Sequence, residues 1–287
     1  MVSNRFDVSD TDLHNHHLHK GEALKKMRFQ AFNFKDVDPD ALKETSYCSV
    51  DMHVHTDHSD GKQSVEAVLS AARSMDIGVS ITDHGVISGS LEAYYQSDGC
   101  MIVPGIEITL SEILDRHILC YFRTPDELEN FHIANQKAFR IFSYSGYDLT
   151  TLCDIAHEHN GLVSYAHPFG WKPFHKTHNR QKHWKEQMLS LDCVEIINGQ
   201  CNLFQAKRSY KLARKLKKSY TGGSDSHNAE SLGSVVTVFK GRTIDELFSA
   251  TLKKEVCVIG KKRYVSETTG AALHEAVRHY IAARGWK

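Results

Sequence analysis

Residues 47–82 read YCSVDMHVHTDHSDGKQSVEAVLSAARSMDIGVSIT. An apolar run (YCSVDM, 47–52) leads through a polar loop into the stretch Ser64–Met75, and a second apolar run, IGVSIT (77–82), follows. Val65, Val68, Leu69 and Ala72 have the i, i+3, i+4, i+7 spacing of one helical face, behind a polar start at Ser64. The reading is strand, helix, strand. The alternation continues with the runs CMIVPGIEI (100–108), HILCYF (117–122), GLVSYA (161–166), CVEII (193–197), SYTGG (219–223) and SVVTVF (234–239). Pro125–Phe139, Leu149–His159 and Asn202–Lys218 read as helices, and Asn160-Gly161 is expected to close the second of them through a left-handed cap. A last βα pair is expected at Val256–Ile259 and Thr268–Ala283. Such alternation implies parallel βα units, and at this length either a barrel or a doubly wound sheet satisfies it.

Composition bounds the function. Of 287 residues, 41% are hydrophobic and 24% charged, enough for one large core. Thirty-five basic residues balance thirty-five acidic ones, so no global field draws the chain to nucleic acid or an anionic membrane. Mean hydropathy is −0.41, and no apolar run approaches the ~18 residues of a membrane helix. The N-terminus lacks the apolar stretch of a secretory signal, and seven scattered cysteines without a CxxC pair read as reduced thiols. The expectation is a cytoplasmic protein without a membrane association or an obligate protein partner. Residues 1–45, with His14, His16, His17 and His19, are expected to form a loosely ordered N-terminal extension. Residues 46–287 are expected to be one domain.

Nineteen histidines are more than equal use of twenty residue types would give. Their placement matters more than their number. His53 and His55 share one face of an extended segment, and Asp60 follows in the next loop. His84 closes the second run, Glu107 lies in the third, His167 closes the fifth, and Asp225 and His227 close the seventh. His117 opens its run, the one exception to the pattern. In parallel βα architectures the C-terminal strand ends converge on one face, so these residues are expected to meet. Imidazole and carboxylate without thiolate suits Zn²⁺, Mn²⁺ or Fe²⁺. Nine candidates exceed what one tetrahedral ion holds, and two or three divalent ions sharing a carboxylate would use them all. Metals about 3.5–4 Å apart suit phosphate-ester hydrolysis.

The set HxHxxxxDG (53–61), TDHG (82–85), PGIE (104–107), His117, AHP (166–168) and GSDSH (223–227) resembles the polymerase and histidinol phosphatase (PHP) superfamily. It is most similar to that group's stand-alone metal-dependent phosphoesterases, over roughly residues 47–260. The resemblance implies an α/β fold, a distorted (β/α)₇ TIM-like barrel, here with an N-terminal extension. It further implies a trinuclear centre, with one ion on His53, His55, Glu107 and Asp225. Glu107 would bridge to a second on His117 and His167, and Asp60, His84 and His227 would hold a third. Glu107, Asp225 and His227 would be catalytic, with a metal-activated hydroxide attacking phosphorus. The extension has no counterpart in the pattern, and the segment between His117 and His167 is too short for a large inserted cap.

Phosphate needs further cations. Arg116 beside a ligand and Lys62 after the Asp60-Gly61 turn are candidates, as are His175, Lys176 and Arg180 in the loop 171–184. The helix Asn202–Lys218 carries seven basic residues and reads as an outer helix with a solvated basic face. The leading function is hydrolysis of a small phosphomonoester or nucleotide. The alternatives are an exonuclease on short oligonucleotides at the same centre, or a non-catalytic metal-binding regulatory domain.

Overall fold

The computed structural model describes residues 32–33, 46–111, 116–142, 148–169 and 182–260. Two five-stranded sheets form its frame. The elements in chain order are β1 (Phe32–Asn33), β2 (Tyr47–Val54), α1 (Val65–Met75), β3 (Gly78–Ile81), α2 (Ser88–Tyr95), β4 (Gly105–Ser111), β5 (Arg116–Tyr121), α3 (Pro125–Phe142), α4 (Leu149–Glu158) and β6 (Leu162–Tyr165). Then follow α5 (Lys182–Gln187), β7 (Cys193–Asn198), α6 (Leu203–Leu216), β8 (Ser219–Gly223), β9 (Val235–Lys240), α7 (Ile244–Leu252) and β10 (Cys257–Gly260).

Local chemistry explains the helix limits. The Ser64 side chain accepts from the Ala67 amide at the start of α1, and Val65, Val68, Leu69, Ala72 and Met75 form its buried face. Capping boxes at Asn202–Gln205 and Thr243–Glu246 start α6 and α7. Beyond α4 the left-handed residue is Asn160 (φ 58°), not Gly161. Gly161 serves packing instead, since a Cβ there would sit 2.6 Å from Phe122 Cε1.

The sheets run β1-β10-β9-β2-β3 and β4-β5-β6-β7-β8. β2/β3, β6/β7 and β7/β8 are parallel as expected, but β9 is antiparallel to β2 and β10, and β5 is antiparallel to β4 and β6. Only residues 112–115 separate β4 from β5, too few for the crossover that a parallel pair needs. This reversal explains His117. Because β5 runs against its neighbours, its start lies beside the C-terminal ends of β4 and β6, with His117 opposite Thr109 and Ile118 opposite Tyr165.

Backbone hydrogen bonds join the sheets at two seams. At one, Asp225 N donates to His53 O (2.8 Å) and His55 N to Ser226 O (2.9 Å). At the other, Val79 N donates to Met101 O (2.9 Å), Val103 N to Val79 O (3.0 Å) and Gly85 N to Glu107 O (2.9 Å). β1, within the expected N-terminal extension, pairs in parallel with β10. The remaining extension, residues 171–181 of the loop 171–184 and the helix expected at Thr268–Ala283 lie outside the described residues. Among the described residues no helix is long and apolar enough to cross a membrane, and all seven cysteines are free thiols.

Candidate metal centre

The fold gathers the nine candidate ligands at one end of the strands. β2 alternates Val50, Met52 and Val54 with Asp51 and His53, and all five are buried. His55, just past the strand, continues the polar face. His53 Nε2 lies 3.0 Å from His55 Nε2 and 3.2 Å from Glu107 Oε2. Asp225 Oδ1 is 3.3 Å from His55 Nε2 and 3.6 Å from His53 Nε2. Glu107 faces two ways: Oε2 meets His53, His55 (3.2 Å) and His84 (3.3 Å), whereas Oε1 meets His117 (3.2 Å) and His167 (3.4 Å). Asp60 closes the solvent side, with Oδ2 3.2 Å from His227 Nε2 and 3.8 Å from His84 Nε2.

Eight of these donors assemble into four overlapping sets, each with ligand atoms within 4.8 Å: His53/His55/Asp225, His53/Glu107/His167, His55/His84/Glu107 and His55/Asp60/His227; His117 stands beside them, against Glu107 Oε1. His55 belongs to three of them. His84 turns one nitrogen toward Glu107 and the other toward Asp60, so it stands between the sets.

The donor geometry fits a cation better than a hydrogen-bond network. His55 Nδ1, His84 Nδ1 and Glu107 Oε1 are buried and make no hydrogen bond, although each has a polar neighbour within 3.6 Å. No cysteine lies in these sets.

Electrostatics gives the same answer. Burial alone would depress the His53 pKa, yet the carboxylates of Glu107, Asp225 and Glu195 outweigh it and hold it well above the usual histidine value. Against the same burial penalty, Asp225 and Glu107 raise His55 to about 9, and Glu107 raises His167 to about 9. Burial opposes ionisation of Glu107 and Asp225 as well, but His53 and the adjoining imidazoles hold both carboxyls far below the carboxylate range. At His84 burial prevails, helped by His55 and His117, and the pKa falls. The pocket thus demands positive charge that protons or metal ions can supply.

Several residues that build the site were not singled out by the sequence. Glu195, in the middle of β7, is 1% exposed. Its Oε1 lies 3.0 Å from His53 Nδ1, and its Oε2 accepts from His167 N (2.7 Å) and Asn198 Nδ2 (3.1 Å). The signal was present, because an acid inside the apolar run CVEII must have buried partners. Asp83 accepts from Thr56 N (2.7 Å), Thr56 Oγ1 (2.7 Å) and Ser59 Oγ (2.6 Å), shaping the loop that presents Asp60. Asp51 accepts amides from Ser224, Gly233 and His53, and burial pushes its pKa up to about 6 despite them. Gln63 Nε2 bonds the carbonyls of His55 and Ser226. His167 (φ 27°) and Asp225 (φ 53°) adopt left-handed backbone, held there by the amide bonds to Glu195 and His53 O.

The expected phosphate contacts are spread more widely. Lys62 is exposed, and its amide donates to His227 O (2.8 Å), so it stands at the rim. Arg116 packs its guanidinium over the Trp184 ring, 3.9 Å from the centroid. His175, Lys176 and Arg180 lie outside the described residues. His58 is not among the grouped donors. Its ring links Ser88 Oγ (2.7 Å) to Glu92 (3.1 Å) and ties the Asp60 loop to α2.

The family described as PHP domain matches residues 51–221, and the PHP-associated family matches residues 205–256. No curated protein matches the chain. Among solved structures, a two-domain protein from Bacteroides vulgatus, described as containing a predicted PHP-like metal-dependent phosphoesterase, superposes with a TM-score of 0.56. The two are 16% identical, over 81% of this chain and 69% of that one. The lesion-specific endonuclease Q of Pyrococcus furiosus gives 0.51 at 16% identity, over 74% of this chain and 57% of that one. An endonuclease Q bound to a 27-mer duplex with an abasic lesion gives 0.52 at 15% identity, over 75% and 60%. At these identities the likeness is one of fold.

Proposed function

Because the chain belongs to the PHP-domain family, whose members are metal-dependent hydrolases, we propose that it hydrolyses a small phosphomonoester or nucleotide phosphate at a centre of two or three divalent ions. The observation that carries this reading is the Glu107 carboxylate, whose two oxygens serve different sets of imidazoles. In this reading β2–β8 make a distorted seven-stranded barrel closed by the two seams.

One ion would sit among His53, His55, Glu107 and Asp225, a second between Glu107 Oε1, His117 and His167, and a third among Asp60, His84 and His227. Bound Zn²⁺, Mn²⁺ or Fe²⁺ supplies Lewis-acid polarisation of the phosphoryl group and a water that is acidic at neutral pH. The chain's own groups do the positioning. Glu195 takes the Nδ1–H of His53 and so aims the Nε2 lone pair inward. Glu107 and Asp225 remain ionised because imidazoles surround them, which keeps their oxygens free of protons. Asp225 and His227, with side chains 13% and 34% exposed, border the opening through which a phosphate reaches the centre. Lys62 adds countercharge at that rim.

The test is dialysis against chelator, metal analysis, and turnover of an aryl phosphate before and after reloading with Mn²⁺ or Zn²⁺. Activity should disappear and return. His53→Ala and Asp225→Asn should each reduce it to background with the far-UV circular dichroism unchanged. Hydrolysis that survives prolonged chelation, or either substitution, would overturn the assignment.

A further inference from the structure

The outer face of α6 is a second feature that points to a ligand, and it begins beside the metal centre. β7 ends at Asn198, whose Nδ2 donates to Asp225 Oδ2 (3.2 Å), and Gln200 Nε2 donates to Asp225 O (3.2 Å). α6 starts three residues later, at Leu203. Its fourteen residues carry it away from the centre for about 21 Å at 1.5 Å per residue.

The exposed residues on this helix form one stripe. Phe204, Lys207, Lys211, Arg214 and Lys215 are all exposed, and their spacing of three and four places them on one side. The opposite side, with Ala206, Ser209 and Ala213, is buried. Residues 202–218 contain seven Lys or Arg and no Asp or Glu. Among the described residues none of Lys207, Lys211, Arg214 and Lys215 forms a salt bridge. In a chain whose charges sum to zero, a cationic ridge without an ion pair among the described residues is a local asymmetry that favours a polyanion.

The end of the stripe nearest the metals is aromatic. Phe204 is 66% exposed, so its ring presents a face on which a base can stack. The Arg208 guanidinium lies 4.2 Å from the ring centroid of Phe169 and 5.7 Å from that of Phe204. Phe169 is two residues beyond His167. An aromatic and guanidinium platform followed by a cationic track matches the chemistry of single-stranded nucleic acid, whose unpaired bases offer faces for stacking and whose phosphates follow in series. A duplex keeps its bases stacked on one another and an acidic peptide offers no aromatic faces, so neither uses both halves of the feature.

We infer that the Phe204–Lys215 face of α6 binds the strand of a single-stranded oligonucleotide and directs its end to the metal centre. This rests on the phosphoesterase reading and extends its substrate class from small phosphate esters to the end of an oligonucleotide. The test measures binding of a labelled 12-nucleotide oligo(dT), and of its ribose counterpart, to the full-length protein by fluorescence anisotropy across a salt series. Aryl phosphate hydrolysis is followed in parallel. Phe204→Ala should weaken binding about tenfold. Lys207→Ala/Lys211→Ala/Lys215→Ala should make the slope of log affinity against log salt shallower by about 2, at about 0.7 per contact on a single strand. Both variants should hydrolyse the aryl phosphate as the parent does. A flat salt response, wild-type affinity in the variants, or equal binding of polyglutamate or duplex DNA would overturn the track. Tighter binding of one sugar identifies DNA or RNA as the strand. Loss of aryl phosphate hydrolysis in the parent protein would instead strike the phosphoesterase reading, and the binding data would stand apart from it.

Discussion

Glu195→Gln isolates the positioning of the proposed ligands from the proposed ligands themselves. The carboxylate takes three N–H donors: His53 Nδ1 at 3.0 Å, His167 N at 2.7 Å and Asn198 Nδ2 at 3.1 Å. Glutamine has the same shape but replaces one acceptor oxygen by a donor. If its amide nitrogen faces His53, the imidazole must move its proton to Nε2, and the lone pair aimed at Glu107 and His55 is lost. If it faces His167, donor meets donor at the backbone amide that holds a left-handed residue. Either way one charge-assisted hydrogen bond goes, worth about 1.5–3 kcal/mol in a site this buried. That corresponds to roughly 10- to 100-fold, the usual loss of metal affinity when a ligand's hydrogen-bond partner is removed. An opposing effect exists, since less negative charge near His53 lowers its proton affinity and eases competition with the metal. The same charge also makes the imidazole a better donor, so the loss of orientation decides the sign. Competition of the apoprotein with a fluorescent chelator for Zn²⁺, at pH 7 and again at pH 9, reads the effect. Unchanged affinity at both pH values would refute the reasoning that Glu195 sets the His53 tautomer.

Two further outcomes follow from the same geometry. In the metal-free protein His55 and His167 titrate near 9 against an ordinary value of 6.5, so their stabilisation is complete below pH 6.5 and lost as pH rises toward 9. Glu107 and Asp225 have the opposite sign, their contribution being present above the ordinary carboxylate range and lost on acidification. The apoprotein melting temperature should therefore be highest between roughly pH 4.5 and 6.5 and should fall toward pH 9, while metal-loaded protein gains stability over that rise as ions replace protons; parallel calorimetric profiles for the two forms would contradict this. Gly223→Ala should cost about 1–3 kcal/mol in denaturant unfolding, because a Cβ there would lie 2.4 Å from His53 Cβ and 2.5 Å from its amide nitrogen. Wild-type stability would mean that β2 and β8 are not held in that contact.

Most elements were legible because each carries its own periodicity. The one-faced pattern of α1 and the largely apolar run of β7 are local facts, and the helix and strand lie where the pattern puts them. α2 was not legible: its first residue follows Ile87, which makes no side-chain cap. It is held by tertiary contacts, with Ser90 Oγ accepting from Gly105 N at 3.0 Å and Gly89 packed against Asp83. α7 could have been read from its Thr243–Glu246 capping box. The antiparallel strands were hidden because strand direction depends on connection and partner, and the side-chain period of two is the same either way.

The sequence by itself determined which donors the protein possesses and that they stand near strand ends, since residue type and local periodicity are properties of the chain. Only the tertiary structure decided that these donors lie within a few ångströms of one another, that the reversal of β5 brings His117 beside Glu107, and that the buried Glu195 stands 3.0 Å from His53 Nδ1. The reason is physical. A ligand set is defined by distances of a few ångströms between residues up to 174 positions apart (His53 to His227), and those distances come from strand pairing and burial, which no local stretch of sequence encodes.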